Sequence, residues 1–336
     1  MTPRPRARAA MSPDAFELLF DDNRRERFRL LADVPELMLL PTLHDVAEEQ
    51  LAEVEVLITS WGASRLDAEL LGRMPRLRAV FHAAGSVRSL VSDAFWARDI
   101  RLTSAADANS IPVAEFALAA ILFAGKRALF SGKSTTSPER EWDDRLRAHR
   151  LGNLDRTIGI VGFSRVGRRT VELLRRFDGF EILVADPYAD AAAVSAAGAT
   201  VVSLDELLPQ VDVLSLHAPE LPATRHLIAA AQLAALRDGA TVLNTARGSL
   251  LDHDALLREC RSGRLDAVLD VTDPEPLPDS SELLTLPNVF ITPHLAGSLG
   301  REARRLTDAA LSELEAFVAG GDPRHPVRPH DLVVGA

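Results

Sequence analysis

The stretch Thr157–Gly167 (TIGIVGFSRVG) limits what this chain can fold into more than any other. Ile158 to Val161 are apolar or small and read as a buried strand. Gly162, Ser164 and Gly167 then mark a tight turn, and Val166 to Phe177 carry the spacing of an amphipathic helix. A strand that feeds a helix through such a turn is suited to phosphate. The first glycine permits the reversal, the second lets the backbone approach a pyrophosphate, and the third lets helix and strand pack closely. The helix start offers its unpaired N–H groups to the phosphates. Here Ser164 stands in the second glycine's place.

Glu181 to Ala185 (EILVA) reads as the next strand and ends in Asp186, close to the separation at which an acid meets the adenine-ribose hydroxyls of a dinucleotide. A carboxylate there repels a 2′-phosphate and favours NAD over NADP. The competing reading is an ordinary βαβ unit with a surface aspartate.

The 336 residues are enough for two domains, and 47% hydrophobic with 26% charged residues describes a globular chain. No apolar run is expected to approach the length that spans a bilayer, so no membrane partner is expected. The net charge of −10 argues against a nucleic-acid surface. Arg24, Arg25 and Arg27, interleaved with Glu26, read as a solvated helix face. The single cysteine, Cys260, excludes an internal disulfide, fits a reducing, cytoplasmic location, and reads as a small hydrophobe on a helix. No metal is expected. The basic start MTPRPRARAA lacks the apolar segment of a signal peptide and reads as a disordered lead, or an overlong start before Met11.

From about Arg6 to Asn109 the pattern is a small α/β unit, with strands at Val54–Thr59 and Leu77–His82 and helices at Leu66–Leu71 and Ser92–Arg98. The small residues Ala83, Ala84, Gly85 and Ser86 follow the second strand. They form either a loop whose open N–H groups bind a carboxylate or a plain βα turn. Pro112 to Phe130 reads as a long connecting helix with Pro112 near its start and Glu115 in its first turn. A polar loop follows to Asn153, with Trp142 placed to anchor it on the surface or on a second subunit. Beyond Thr157 the βα alternation is regular. Ser203 and Glu206 form a capping box, Val211–Leu216 and Thr241–Leu243 are strands, and Asp252 caps a helix Ala255–Arg261 that Gly263 ends. Leu265–Leu269 and Val289–Ile291 supply the last strands, and a helix from about Leu299 to Val318 returns to the first domain.

Open parallel sheets bind ligands beyond the carboxyl ends of their strands. Three of those ends here carry chemistry. Arg247 follows Thr241–Leu243, with Gly248 behind it, and presents a planar fork that matches a carboxylate. Asp270 follows Leu265–Leu269, and Glu275 lies between two prolines shortly after. His294 follows Val289–Ile291. Histidine is the side chain suited to exchanging a proton near neutral pH, and a partnered glutamate orients its ring.

Several segments together resemble the D-isomer-specific 2-hydroxyacid dehydrogenases: NTARG at Asn244–Gly248, DVTDPEP at Asp270–Pro276, TPHLAG at Thr292–Gly297, LSLHAP at Leu214–Pro219 and NSIPVAEFALAAIL at Asn109–Leu122. The resemblance covers nearly the whole chain. It implies two Rossmann-like domains with doubly wound parallel sheets, an NAD-binding domain (111–298) inserted into a flavodoxin-like substrate domain (1–110 and 299–336). It implies Arg247 on the substrate carboxylate and carbonyl, His294 as acid/base, and Glu275 paired with His294. Ala84, Gly85 and Ser86 match the loop that holds the substrate carboxylate. For the cofactor it implies Gly162, Ser164, Arg165, Val166 and Gly167 at the pyrophosphate and Asp186 at the adenosine ribose. His217, Ala218 and Pro219 would form the crevice wall, with Asp270 at the nicotinamide carboxamide. Thr224, Thr245, Ala246, Arg247, His294 and Gly297 complete the cofactor contacts that it implies. Three departures stand out. Ser164 replaces a glycine and would crowd or hydrogen-bond the pyrophosphate, Thr272 stands where phenylalanine is common, and HAAGSVRSL lacks the usual Gly-Val-Asp ending.

The expected activity is interconversion of a 2-keto acid and a D-2-hydroxy acid with NAD, by a homodimer. The alternatives are an NAD(H)-sensing corepressor-like binding protein and a phosphite dehydrogenase of the same superfamily. Glu275, where formate dehydrogenases of that superfamily carry glutamine, speaks against formate.

Overall fold

A computed structural model describes residues 4–131 and 151–334, so Trp142 and most of the polar loop around it lie outside the described residues. The chain divides into two compact units, one made of residues up to Asn109 together with those from Ser298 onward, the other of Ser110–Gly297.

The first unit holds strands β1 (Ala7–Ala10), β2 (Val56–Thr59), β3 (Ala79–His82) and β4 (Arg101–Ser104), parallel and in that spatial order. All four residues of β1, β2 and β3 are buried, which is why β2 and β3 read as unbroken runs rather than alternations. Parallel bridges Arg6–Asp33 and Ala9–Leu39 place the segment after the second helix on the far side of β1. The order therefore reverses at β1, as in a flavodoxin-type sheet, and ligand chemistry belongs at the carboxyl ends of β1 and β2 and their neighbours. The helix Ala303–Val318 closes one face, contributing Ala303, Leu306, Ala310, Leu311 and Leu314 to a core shared with Ala7, Ala9, Val56, Ile58 and Phe81.

The second unit holds β5 (Arg156–Val161), β6 (Phe180–Ala185), β7 (Thr200–Val201), β8 (Val213–Leu216), β9 (Thr241–Asn244), β10 (Asp266–Leu269) and β11 (Val289–Ile291). They form one parallel sheet in the order β11-β10-β9-β8-β5-β6-β7. Progression outward from β5 runs one way through β6 and β7 and the other way through β8 to β11. The switch point therefore lies between β5 and β8, directly beyond Gly162 and His217.

Four expectations are corrected. Within its described residues the basic start is not a disordered lead: Ala7–Ala10 is a strand paired with Val56–Thr59. Ala7 and Ala9 share a core with the helix Ala303–Val318, a tertiary condition that local composition does not announce. The connecting helix runs Ala106–Gly125, so Pro112 lies inside it and Asp107, not Glu115, is in its first turn; Ala128–Ser131 is separate. That helix is long and apolar enough to cross a membrane by length and composition, with a mean hydropathy of 1.5. Half of the window is buried, and Ala117, Ala120, Ile121 and Ala124 share a core with Ile158, Ile160 and Val171, which accounts for the apolar run. Finally, the arginines of Asp22–Leu31 do not form a solvated face: Arg24 pairs with Asp21 and Asp308, and Arg27 with Glu315 at 3.0 Å, tying that helix to Ala303–Val318.

Candidate active site

The turn after β5 shows why two of its glycines are glycines. Gly162 has φ +96, and a Cβ there would lie 2.6 Å from the Ala218 nitrogen. A Cβ on Gly167 would lie 2.1 Å from the Gly162 carbonyl oxygen. Ser164 needs no such freedom, since its φ of −67 and ψ of −177 are ordinary for any residue. It is the N-cap of Arg165–Leu174, its hydroxyl oxygen accepting from the Gly167 N–H at 3.4 Å. The serine thus satisfies one N–H of the helix start, and among the described residues its own O–H proton meets no acceptor. Asp186 ends β6; its carboxylate accepts from the Phe163 N–H (2.8 Å) and the Tyr188 N–H (2.9 Å), which ties the phosphate turn to the ribose-reading position. A cradle closed to any Cβ, an open helix start carrying Arg165 and Val166, and an acid at the second strand's end fit a dinucleotide without a 2′-phosphate.

If the Ser164 hydroxyl reaches the pyrophosphate, Ser164→Gly is expected to weaken NADH binding about three- to tenfold, the worth of one hydrogen bond. Titration of NADH fluorescence checks this, and tighter binding by the glycine variant would mean that the serine crowds the site.

On the other side of the switch point, His217 follows β8 and is buried with its Nε2 2.8 Å from the Ser215 hydroxyl. Burial pushes it down to about 3, so it is a neutral wall and not an acid. Ala218 is buried beside it. The Thr224 hydroxyl is occupied within its own turn, donating to the Pro219 carbonyl (2.7 Å) and accepting from the Leu221 N–H. It shapes the crevice segment from inside.

The acid–base end of the site is built from β9, β10 and β11. Asn244 ends β9; its amide donates to the Arg247 carbonyl and accepts from the Ala246 N–H, so a buried side chain holds the Thr245–Arg247 turn. Arg247 emerges exposed, and the Thr245 hydroxyl is buried with no partner among the described residues. Gly248 packs on the Thr272–Asp273 backbone, where a Cβ would meet the Thr272 carbonyl oxygen at 2.0 Å. The Thr272 hydroxyl donates to the Pro274 carbonyl at 2.8 Å, so this threonine fixes the segment that carries Glu275.

Asp270, expected at the nicotinamide carboxamide, is 2% exposed and spends both oxygens on the turn after β11. One accepts from the Thr292 hydroxyl (2.6 Å) and the Leu295 N–H (2.8 Å), the other from the Ala296 N–H (2.9 Å). Within that turn His294 has φ +52, a left-handed conformation that a β-carbon disfavours. The strain is outweighed by the Asp270 bonds, and the result is an exposed imidazole whose Nδ1 lies 2.6 Å from the Glu275 carboxylate. With Nδ1 donating to Glu275, Nε2 is the nitrogen left to exchange a proton. Thr292 and Asn244 were not anticipated as site residues. Their signal was only their position at strand ends. Gly297 closes the turn, half-buried.

In the first unit, Ala84, Gly85 and Ser86 follow β3. Among the described residues no acceptor meets the backbone N–H of Ala84, Gly85, Ser86 or Val87. Four successive open donors favour an anion over a plain turn. Among the described residues no group of three or more His, Cys, Asp or Glu could hold a metal. Cys260 lies in the helix His253–Arg261, buried, with burial pushing its thiol up to about 12, which makes it inert.

Away from the crevice, Asp266 at the start of β10 is buried beside Arg127, and burial, the larger influence, pushes its carboxyl up to about 6 against the arginine's pull. The folded state therefore binds this proton more tightly than the unfolded chain. Its contribution falls as pH rises from about 4 to about 6, by at most about 1.4 kcal/mol per pH unit. His217, held neutral in the fold, acts oppositely in an overlapping window, so the wild-type profile is a sum. Asp266→Asn is expected to gain stability relative to wild type between pH 4 and 6 and to run parallel above pH 6.5, in denaturant melts across that range.

Residues 119–296 match the family described as D-isomer specific 2-hydroxyacid dehydrogenase, NAD binding domain. The D-3-phosphoglycerate dehydrogenase of Methanocaldococcus jannaschii is 30% identical over 309 residues, which is 91% of this chain and 57% of that protein. The (S)-sulfolactate dehydrogenase of Chromohalobacter salexigens is 34% identical over 251 residues, 73% of this chain and 78% of that protein. The apo crystal structure of Rhodotorula graminis D-mandelate dehydrogenase superposes with a TM-score of 0.81 at 25% identity, covering 97% of this chain and 98% of that one. The chain spans about half the length of the D-3-phosphoglycerate dehydrogenases it matches, 57% in M. jannaschii and 47% in Mycobacterium leprae.

Proposed function

The chain belongs to the D-isomer specific 2-hydroxyacid dehydrogenase family, with NAD as its cofactor, and on that premise we propose that it interconverts a 2-keto acid and its D-2-hydroxy acid. The observation that carries the reading is the 2.6 Å His294–Glu275 pair, on a turn fixed by buried Asp270, with Arg247 exposed at the end of β9, the strand next to β10.

Each residue has a separate task. Arg247 binds the substrate carboxylate and polarises the carbonyl with its planar fork. His294 gives a proton from Nε2 to the carbonyl oxygen during reduction and takes it back during oxidation. Glu275 holds Nδ1, so that the ring presents Nε2 and the imidazolium has a carboxylate beside it. The open N–H groups after β3 bind a substrate carboxylate. Bound NAD supplies or accepts the hydride at C2. Gly162, Ser164, Gly167 and Asp186 hold the dinucleotide, and Asp186 selects against a 2′-phosphate. The relatives named for phosphoglycerate, sulfolactate and mandelate carry the names of 2-hydroxy acids, which supports that class of substrate here without choosing its side chain.

The test follows NADH absorbance with a panel of 2-keto acids: glyoxylate, pyruvate, hydroxypyruvate, and the phosphorylated, sulfonated and aryl analogues, with NADPH in parallel. Turnover with NADH that falls at least about a hundredfold in Arg247→Ala supports the reading. NADH binding without turnover on any acid would move it to the NAD(H)-sensing alternative.

A further inference from the structure

The first unit contains a buried histidine that the chemistry above leaves without a task. His82 is the last residue of β3 and is 6% exposed, and Thr59, the last residue of β2, is fully buried beside it. Its Nδ1 lies 2.9 Å from the Thr59 hydroxyl, and the ring also hydrogen-bonds the Ser86 backbone. Burial lowers its pKa to about 4, so the ring is neutral at ordinary pH and has one donor and one acceptor nitrogen. The Ser86 backbone meets the ring through its carbonyl, an acceptor, so the ring donates there and Nδ1 accepts from the Thr59 hydroxyl.

This pair is the centre of a larger brace. The Ser60 hydroxyl donates to the Ala83 carbonyl at 2.8 Å, and the Ala83 N–H donates to the Thr59 carbonyl at 2.7 Å. The Ala105 N–H is shared between the His82 carbonyl (2.9 Å) and the Ala84 carbonyl (3.0 Å). In a trans peptide the carbonyl and the following N–H point opposite ways. Tying the carbonyls of Ala83 and Ala84 to interior donors therefore turns the N–H groups of Ala84 and Gly85 the other way. The ring's hold on Ser86 does the same at the loop's far end. Three of the four open N–H groups of residues 84–87, those of Ala84, Gly85 and Val87, thus follow carbonyls that are anchored.

We propose that His82, braced by Thr59, is a positioning residue that sets the Ala83–Ser86 backbone to receive a substrate carboxylate, an inference that rests on the 2-hydroxyacid dehydrogenase reading. Losing the brace loosens the bound carboxylate without touching the proton-exchanging histidine or the dinucleotide turn.

The experiment compares wild type, His82→Leu, His82→Gln and Thr59→Val in the full chain, using NADH, a 2-keto acid that wild type reduces, and the corresponding 2-keto amide. His82→Leu is expected to raise KM for the keto acid about tenfold, with kcat changed less than about threefold and NADH affinity unchanged. The amide, which lacks the anion, should lose little, and His82→Gln, which restores a donor, should recover most of the KM. If His82→Leu does not fold, Thr59→Val removes only the hydroxyl and should raise KM about threefold. Unaltered kinetics overturn the inference, as does glutamine performing no better than leucine or an equal loss on the amide. Wild type without turnover on any 2-keto acid overturns the functional reading and this inference together. Wild-type turnover with silent variants overturns this inference alone.

Discussion

Replacing His294 by asparagine is expected to lower kcat by about 10²–10⁴ while NADH binding stays within about twofold, because general acid–base transfer has no second provider at this turn. Asparagine is the informative choice. His294 sits at φ +52, and asparagine tolerates that left-handed conformation better than alanine, so the Thr292–Ala296 turn and its Asp270 bonds survive. His294→Ala should lose as much activity and about 1 kcal/mol more stability. Glu275→Gln keeps a group able to accept from Nδ1 but removes the charge beside the imidazolium. Its loss should be smaller, about 10–100-fold, and concentrated in kcat. Steady-state kinetics with thermal melts on all three variants decide it. Near-wild-type kcat in His294→Asn would remove the histidine from the chemistry.

Gly248→Ala should be more damaging than its size suggests. The added Cβ would lie 2.0 Å from the Thr272 carbonyl oxygen and 2.6 Å from the Asp273 nitrogen, both backbone atoms that no rotamer change can move. Either the turn behind Arg247 or the segment leading to Glu275 must shift. We expect a loss of about 3 kcal/mol or more in stability and at least a hundredfold in kcat/KM for whatever protein folds. Gly239→Ala is the matched control. That residue has a positive φ, +79, which Gly248 does not, but its Cβ meets nothing within 4 Å, so the expected cost is the backbone strain alone, about 1 kcal/mol, with no kinetic effect. Comparable behaviour of the two variants in melts and kinetics would show that the contact at Gly248 yields.

The parts of this fold legible in the sequence are those whose signal is local. The strand–turn–helix at Arg156–Leu174 carried its glycine spacing and its period, and the Ser203–Glu206 capping box is present with both reciprocal bonds. His294, Glu275 and Arg247 were legible as chemistry at strand ends, and the structure brings the first two into contact. What was not legible depended on partners far away in the chain. Ala7–Ala10 is unremarkable as a sequence and becomes a strand because Val56–Thr59 pairs with it. Arg24 and Arg27 look solvated until Asp308 and Glu315 arrive some 280 residues later. At Ser164 the sequence leaves crowding and hydrogen bonding both open; the structure adds that its backbone needs no glycine and that its hydroxyl caps the helix. At Asp270 sequence gives the position of a carboxylate but not the three donors on the turn after β11 that its oxygens hold.

The first unit is assembled from the two ends of the chain, whereas the second is one uninterrupted segment. On the ribosome this imposes an order. The Ser110–Gly297 unit has all its strands in hand while the sheet begun at Ala7 still lacks the helix Ala303–Val318 that covers one of its faces. Until those residues emerge, Ala7, Ala9, Val56, Ile58 and Phe81 share their core only with residues made earlier, such as Phe16, Leu19, Phe20 and Phe28, and the part that Ala303–Val318 covers stays open, an apolar surface of the kind that chaperones hold. The Ser110–Gly297 unit is synthesised whole before the sheet begun at Ala7 receives the helix that covers it.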